Sequence, residues 1–255
     1  MPDPLFDPWC SNDESGTNGK KLLVLRGQAS EQPKAIEILQ ALVPQHYCKP
    51  ETVRKWLAKW GYGETLAVVK KKLPKGKKYR SGDLGEILAT EYVSRKLDFT
   101  VPIFRLRWRD HRELPMRGDD LVAIQFDAKG TIHFLKGEAK SRQRLSADVV
   151  QEASEALQSH DGRPGPHTLN YLVDRLYDIG QDSLADAIEE YLSRKRMPRK
   201  RITHFMFTLS GNDPKSHLAG YLNGYTGDVQ QVAVGLRVTD HGFFIATVFD
   251  GVNLA

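Results

Sequence analysis

Apolar side chains recur at the spacing of an amphipathic helix in two stretches near the start of the chain. The first stretch predicts a helix over 36–42 that ends before Pro44, because proline cannot donate the helical hydrogen bond. The second predicts a helix that begins at Pro50, a favoured first helical residue, and stops at Gly61. The run KLLVL at 21–25 predicts a short strand ahead of both helices. This part of the chain is therefore expected to be mainly helical.

The segments on either side of these helices show no apolar periodicity. The first twenty residues carry prolines and acidic side chains, and they indicate a loose arm. The segment 70–79 contains a proline, a glycine and many lysines, and it indicates a linker. We therefore expect an N-terminal region over 1–80 and a second domain over 81–255.

The second region begins with a different pattern. A helix is predicted with Ser81 as its N-cap, followed by a strand near a sheet edge around 99–106. The apolar runs at 121–126 and 131–140 flank the turn sequence DAKG and predict a β-hairpin. Ser146 is placed to cap the next helix.

The remainder of the chain predicts more helices and strands. After a break rich in glycine and proline at 161–166, two amphipathic helices form a helical insertion over about 161–200. A strand is predicted over 202–209, and a closing pair of strands over 230–238 and 242–249. The expected fold class is α/β, with a restriction-endonuclease-like mixed central sheet flanked by helices and a mainly helical N-terminal region.

Composition narrows the class of protein. Hydrophobic residues make up 40% and charged residues 27% of the chain, a balance typical of globular proteins. No apolar run approaches the roughly 20 residues that a membrane span needs. The first twenty residues lack the apolar core of a signal peptide. Cys10 and Cys48 are the only cysteines, which fits a reducing cytoplasm. We expect a cytoplasmic protein without membrane association.

The positive charge is concentrated in short runs. The chain has 37 Lys and Arg against 32 Asp and Glu, and basic residues dominate the runs 70–80 and 194–201. Such runs suit phosphate contacts, although they are also common in solvated loops. The candidate DNA-contacting residues are Lys70, Lys71, Lys72, Lys75, Lys77, Lys78, Arg80, Arg117 and Arg142.

Acidic and basic side chains meet at the ends of the predicted hairpin. Asp120 stands directly before its first strand, and Glu138 and Lys140 stand near the end of its second. Strand side chains alternate between faces, so Glu138 and Lys140 share one face, roughly 6–7 Å apart along the strand. Because the strands are antiparallel, Asp120 reaches the same end of the sheet. Two carboxylates and a lysine are thus expected to converge.

This combination suits metal-assisted hydrolysis of a phosphodiester. The carboxylates of Asp120 and Glu138 and the carbonyl of Ala139 are hard oxygen ligands, which Mg²⁺ or Mn²⁺ prefers. The metal would lower the pKa of a bound water and neutralise charge that develops on the phosphorus. Lys140 would orient or deprotonate that water, or stabilise the transition state.

Some assignments stay open at the level of the sequence. Asp120 is favoured over Asp119 because it abuts the strand, whereas Asp119 suits a turn. Glu86, on the preceding helix, is a further catalytic candidate or a solvated helix glutamate. Glu138 and Lys140 could also be an exposed ion pair of a strand face. The sequence contains no phosphate-binding P-loop, no H-E-x-x-H metal motif and no G-x-S-x-G motif.

The order of these motifs resembles a known group of nucleases. A G-x-D triplet followed about eighteen residues later by E-x-K resembles the PD-(D/E)xK superfamily, although GDD stands here in place of the PD dipeptide. More narrowly, SGDLGE (81–86), RGDDLVAI (117–124) and LKGEAKSR (135–142) resemble HamA, the nuclease subunit of the Hachiman anti-phage defence system.

The resemblance implies an activity and a partner. It implies degradation of DNA with low sequence specificity, which halts infection at the cost of the host cell. It also implies a helicase subunit, HamB, that restrains the nuclease until it engages DNA. It carries over Glu138 and Lys140 directly, and Asp120 and Glu86 with them. Residues 1–80 then remain as the region for partner binding.

Two other function classes are kept as alternatives. One is a catalytically inactive module that binds nucleic acid or a partner, against which the intact set Asp120, Glu138 and Lys140 argues. The other is a stand-alone restriction or junction-resolving endonuclease, which would share the same catalytic residues.

Overall fold

A computed structural model describes residues 3–17, 19–114, 116–193 and 197–254. The strands are Cys10–Thr17 (β1), Lys20–Gly27 (β2), Leu121–Phe126 (β3), Ile132–Arg142 (β4), Ile202–Ser210 (β5) and Gln230–Arg237 (β6). The helices are Gln32–Tyr47 (α1), Pro50–Lys72 (α2), Lys77–Lys96 (α3), Ala147–Gln158 (α4), Pro166–Asp178 (α5), Asp182–Ser193 (α6), Lys215–Gly224 (α7) and His241–Asp250 (α8).

The strands form one mixed sheet in the order β1-β2-β6-β5-β4-β3. The two outer pairs, β1 with β2 and β3 with β4, are antiparallel. The three inner pairs are parallel. β5 is buried along its whole length, as expected for a parallel strand covered on both faces. The predicted α/β fold with a mixed central sheet flanked by helices is confirmed.

Alternate residues of the strands pack against different sets of helices. Phe205 and Phe207 of β5 belong to a core cluster with residues of α1, α3 and α8. Met206, between them, points to the opposite face and packs with α4 and α7. A third cluster joins Phe134 of β4 and Ile202 of β5 to the helical pair α5 and α6. The α5–α6 insertion is therefore anchored on the sheet beside the hairpin.

Several elements match the sequence-based expectations. The strand at 21–25 is β2, the hairpin is β3–β4, and the insertion contains two helices. Ser146 is the N-cap of α4, and its side chain accepts a hydrogen bond from the backbone N–H of Val149 at 3.5 Å.

The expectation of a loose N-terminal arm was wrong. β1 pairs with β2 through eight registered positions, and Leu5, Phe6 and Trp9 are buried. The Trp9 ring stacks on Phe244 of α8, with ring centroids 5.4 Å apart. A few large apolar side chains fix this segment, and they are too sparse to produce a periodic pattern.

The predicted helix limits also differ from the structure. α1 continues through Pro44 to Tyr47, where the Pro44 carbonyl still accepts a hydrogen bond from the N–H of Cys48 at 2.9 Å. A proline thus removes one donor without ending this helix. Gly61 does interrupt α2, with a left-handed φ of 74°, but the helix resumes beyond it to Lys72.

The predicted linker over 70–79 is mostly helical. Only 73–76 separates α2 from α3, and Leu73 and Pro74 are buried. α3 therefore begins at Lys77 rather than at the predicted cap Ser81. The buried leucine and proline hold the turn against the core, so the lysines on either side belong to helix ends.

Two predicted strands are absent from the structure. The segment 99–106 contributes a single bridge between Thr100 and Ile124, and it continues into a 3-10 turn over 105–108. The run 242–249 is helix α8, because the side chain of Asp240 accepts a hydrogen bond from the N–H of Phe243 and caps it. Helix α7 was not predicted.

The chain before and after position 80 shares one sheet. β2 pairs with β6 from Lys20 opposite Gln231 to Arg26 opposite Arg237. The same core cluster contains residues from both parts. The division at residue 80 therefore separates the chain in sequence but not the sheet. None of the helices among the described residues is long and apolar enough to cross a membrane.

The burial of the N-terminal segment yields a prediction about stability. Trp9 is 1% exposed, whereas Trp60 of α2 is 42% exposed. We expect Trp9→Ala to lower the free energy of unfolding by about 3–5 kcal/mol, because it removes a buried indole and leaves a cavity. Trp60→Ala is the matched control and should change it by much less. Urea unfolding monitored by circular dichroism measures both, and equal losses would contradict the packing of Trp9.

Candidate active site

The hairpin register brings three of the predicted site residues together. Leu121 at the start of β3 pairs with Gly137 of β4, so Asp120 lies beside the chain just after Gly137. The Oδ2 atom of Asp120 accepts a hydrogen bond from the backbone N–H of Ala139 at 3.1 Å. Lys140 Nζ donates to Glu138 Oε1 at 2.8 Å. The spacing rule for strands therefore placed these two side chains correctly on one face.

Helix α3 brings Glu86 to the same end of the sheet. A Cβ at Gly85 would lie 3.2 Å from the Cβ of Ser141, so the missing side chain allows α3 to approach β4 closely. Glu86 is largely buried, and its Oε2 has no hydrogen-bond partner among the described residues. Its contact with the Nε of Arg105 is an ion pair at 3.8 Å, too long for a hydrogen bond.

Arg105 links two of the carboxylates. Its Nη1 lies 3.4 Å from Asp120 Oδ1 and also donates to the carbonyl of Asp119. The side chain is 12% exposed and reaches the cluster from the 3-10 turn. The sequence showed it only as one of several arginines before the acidic motif. Its role was missed because the segment was expected to be a strand.

The acidic cluster consists of Glu86, Asp120 and Glu138. Its three carboxylates, when all are ionised, carry more charge than the two cations beside them, Arg105 and Lys140, neutralise. Burial, followed by the charge of Asp120, raises the pKa of Glu86 to about 8. The same two causes raise the pKa of Glu138 to about 7, although Lys140 lowers it. Neighbouring carboxyl groups whose pKa values are raised are typical of sites that bind a cation or transfer a proton.

Asp119 has a separate, structural position. Its Oδ2 accepts a hydrogen bond from the N–H of Gly165 at 2.7 Å, and its Oδ1 lies 3.5 Å from Lys136 Nζ. Lys136 is 1% exposed and also donates to the carbonyl of Ser159 at 3.0 Å. These contacts tie the start of the insertion to the hairpin. They favour Asp120 over Asp119 as the candidate ligand.

The donor set fits a hard divalent cation in its chemistry. Within the described part of the chain, no group of three or more His, Cys, Asp and Glu is already arranged around a metal position. The carboxylates of the cluster are paired with cationic side chains: Arg105 contacts Glu86 and Asp120, and Lys140 contacts Glu138. The unpartnered oxygen of Glu86 and the raised pKa values of Glu86 and Glu138 mark charge that a cation would relieve. Carboxylate oxygens and the Ala139 carbonyl are ligands that suit Mg²⁺ or Mn²⁺.

A buried ion pair that the sequence did not reveal supports this end of α3. Arg109 donates two hydrogen bonds to Asp83, at 2.7 and 2.6 Å, and Tyr47 donates to the same carboxylate. The pair connects the segment after Arg105 to the helix that carries Glu86. Asp83 belongs to the motif SGDLGE (81–86), and this motif is the only feature of the sequence that pointed to it.

The predicted DNA-contacting residues lie mainly on the surface. Six of them are exposed lysines at the facing ends of α2 and α3 and in the turn between them, namely Lys70, Lys71, Lys72, Lys75, Lys77 and Lys78. Arg80 instead donates to Asp250 at 2.7 Å, whereas Arg117 and Arg142 are exposed. Of the run 194–201, residues 194–196 lie outside the described residues, and Arg199 forms ion pairs with Asp161 and Asp228. Phosphate binding by these residues stays a prediction.

Fold and site together define an α/β protein with an acidic cluster at one end of a mixed sheet. A family model described as HamA matches residues 3–252, so the chain belongs to the HamA family. The chain is also similar to "Hachiman protein HamA" of Bacillus cereus, at 28% identity over 189 residues. That alignment covers 74% of this chain and 65% of the relative, which is less than two thirds of the relative's length.

The raised pKa of Glu86 predicts how stability depends on pH. The folded pKa of about 8 lies above the ordinary value of 4.5, so between these values the folded state binds a proton that the unfolded state has lost. The free energy of unfolding should therefore fall by a few kcal/mol from about pH 5 to pH 8 in a chelating buffer. Urea unfolding across this pH range measures the change.

Two variants test whether Glu86 is the cause. Glu86→Gln cannot ionise and should remove the part of the fall that Glu86 causes, whereas the part due to Glu138, whose pKa is raised to about 7, should remain. Glu152→Gln, at an exposed position of α4, is the matched control and should retain the wild-type dependence. A wild-type protein that is equally stable at pH 5 and pH 8 would contradict the prediction.

Proposed function

We propose that this chain is a metal-dependent DNA endonuclease of low sequence specificity that acts in the cytoplasm. The observation that carries the proposal is the meeting of Asp120, Glu138 and Lys140 with the buried Glu86 at the end of the hairpin. Two strands and a helix deliver these side chains to one place. A chance ion pair on a strand would not require the burial of further acidic groups around it.

The chain's own residues suggest a division of roles in hydrolysis. Asp120, Glu138 and the Ala139 carbonyl would hold the metal, which supplies a more acidic bound water and positive charge beside the phosphate. Lys140 is positioned by Glu138, and it would orient the attacking water or stabilise charge on the phosphate. Glu86, whose pKa is raised to about 8, would accept or deliver a proton near neutral pH.

Family membership supports the biological setting of the proposal. The relative from Bacillus cereus is named "Hachiman protein HamA", and this chain belongs to the HamA family. The resemblance of its motifs to HamA implies the nuclease subunit of an anti-phage defence system. We propose the same role for this chain, with a HamB-like helicase as its partner. A nuclease of low specificity would cut the DNA of its own cell. The helicase therefore restrains it until foreign DNA is sensed.

The N-terminal region offers a surface for that partner. Trp60 and Tyr62, on either side of the kink at Gly61, are 42% and 51% exposed. Exposed aromatic side chains are enriched in protein interfaces, where they supply large contact areas. These two residues therefore fit the proposed assignment of residues 1–80 to partner binding.

The proposed activity predicts metal-dependent DNA cleavage. The purified chain should convert supercoiled plasmid to cut forms with Mg²⁺ or Mn²⁺ and not with a chelator. Glu138→Gln and Lys140→Ala should each lower the cleavage rate at least 100-fold, a typical loss for a group that stabilises the transition state. Gel electrophoresis over time measures the rate.

Matched variants separate catalytic from structural effects. Asp120→Asn should lose cleavage without a fall in the midpoint of thermal unfolding, because it removes a charge that opposes ionisation of Glu86 and Glu138. Asp119→Asn should lower that midpoint because it leaves the buried Lys136 ammonium without a carboxylate. Glu152→Gln should cut normally. Cleavage by Glu138→Gln at the wild-type rate would refute the site and favour a module that only binds nucleic acid.

The proposed partner predicts a stable complex. Co-expressed chain and helicase should elute together in size-exclusion chromatography, with an interface of about 1,200 Å² or more. Trp60→Ala and Tyr62→Ala together should weaken the complex, whereas Phe126→Ala, at another exposed apolar residue, should not. Separate elution of the two proteins, with harmless expression of the active chain alone, would rule out this restraint.

A further inference from the structure

A cavity of about 420 Å³ opens beside the candidate active site. Asp120 and Arg105 belong to its lining, so the cavity is continuous with the acidic cluster. Its opposite wall is one face of α5, which presents Thr168, Tyr171 and Arg175. The volume lies within the roughly 300–1,000 Å³ range of small-molecule sites. Of its lining residues, Asp120 and Arg117 have a role in the function proposed above, and the α5 wall has none.

Four lining residues keep a buried polar atom without a hydrogen-bond partner. They are Nη2 of Arg105, Nε of Arg109, the hydroxyl of Tyr171 and Nε of Arg175, considered among the described residues. Buried polar groups in folded proteins nearly always have a partner. The guanidinium groups can only donate, and the tyrosine hydroxyl can donate. A negatively charged hydrogen-bond acceptor would therefore suit all four of these atoms.

The three acidic residues of the lining, Asp110, Asp119 and Asp120, make no hydrogen bond with these four atoms. Asp110 is exposed to solvent, and its charge acts on Tyr171 without a hydrogen bond to the hydroxyl. Asp119 is already engaged by Lys136 and by the N–H of Gly165. Asp120 is engaged by Arg105 and by the N–H of Ala139. The unpartnered donors therefore remain available to a ligand.

The rest of the lining is aromatic and apolar. The Arg175 guanidinium lies over two rings, 4.7 Å from the centroid of Trp108 and 5.5 Å from that of Tyr171, and these three side chains form the Trp108–Arg175–Tyr171 stack. Lys49 Nζ also lies over the Trp108 ring, at 5.5 Å. Leu114, also in the lining, is 57% exposed, although apolar side chains of this size are usually covered. Flat cationic and aromatic surfaces of this kind are those on which nucleobases stack.

We propose that this cavity binds one nucleoside 5′-monophosphate unit, with its phosphate on the arginine donors and its base against the Trp108–Arg175–Tyr171 stack. The inference rests on the proposed function, since it names a subsite of the same DNA-cutting site. The unit could come from an unpaired nucleotide of the DNA strand or from a free nucleotide. A base paired within a duplex is stacked on both sides and cannot enter such a cavity without leaving the helix.

Binding can be measured without any cleavage. The 255-residue chain in a chelating buffer is titrated into a short, fluorescently labelled single strand with a 5′-phosphate, and anisotropy reports the dissociation constant. Deoxyadenosine 5′-monophosphate should displace the strand, whereas deoxyadenosine, which lacks the phosphate, should not. A blunt duplex of equal length tests the need for an unpaired base.

Substitutions in the cavity should weaken this binding. Arg175→Gln and Tyr171→Phe should each raise the dissociation constant roughly tenfold, the effect of one lost charge-assisted or buried hydrogen bond. Matched controls are Arg54→Gln and Tyr177→Phe, outside the lining, which should bind as the wild type does. If Arg175→Gln lowers the thermal midpoint, Arg117→Gln provides an exposed lining variant that leaves the fold intact.

The outcomes separate the sources of the nucleotide. Binding of the single strand that the cavity variants weaken supports an unpaired nucleotide of the substrate. Binding of the free monophosphate in isothermal titration calorimetry, without binding of the strand, supports a free nucleotide. Equal binding by all variants, or equal displacement by deoxyadenosine, would overturn the proposal. Plasmid cleavage combined with such a result refutes this inference alone, whereas cavity-dependent binding without cleavage under any metal refutes only the proposed activity.

Discussion

The register of the β3–β4 hairpin determines where the candidate site lies. Leu121 pairs with Gly137, and a Cβ at Gly137 would lie 2.9 Å from the Cβ of Leu121. The missing side chain therefore permits the close approach that this register requires. Because strand side chains alternate, a slip of one residue would move Glu138 and Lys140 to the other face of the sheet. The remaining features of the site depend on this one pairing.

The two neighbouring aspartates show how the same structure uses charge in different ways. Asp119 is matched to Lys136 and to the backbone N–H of Gly165, so its charge holds the insertion against the hairpin. Asp120 faces Glu86 and Glu138, and it raises the pKa of both. The first arrangement stabilises the fold, whereas the second costs stability at neutral pH. Such a local conflict is expected where a protein preserves chemistry rather than packing.

The sequence allowed correct prediction of those elements whose spacing of apolar and polar residues matches the faces that they bury in the fold. The hairpin and Glu138 and Lys140 could be placed because strand alternation alone sets their spacing. The run 242–249 was misassigned because a buried helix and a buried strand share an uninterrupted apolar sequence. The role of Trp9 could not be predicted, since it depends on Phe244, far away along the chain. The role of Arg105 was missed because its segment is a 3-10 turn and not the expected strand.

The pairing of β2 with β6 has a consequence for how the protein is made. Lys20 lies opposite Gln231, so one of the first strands to be synthesised pairs with one of the last. At about 5–20 residues per second, translation takes roughly 10–40 s to pass from one strand to the other. A two-stranded hairpin such as β1–β2 is only marginally stable alone, and its open edge can pair with other chains during that interval. Completion of the sheet therefore waits for β6, and the edge of β2 stays without its parallel partner until that strand has been made.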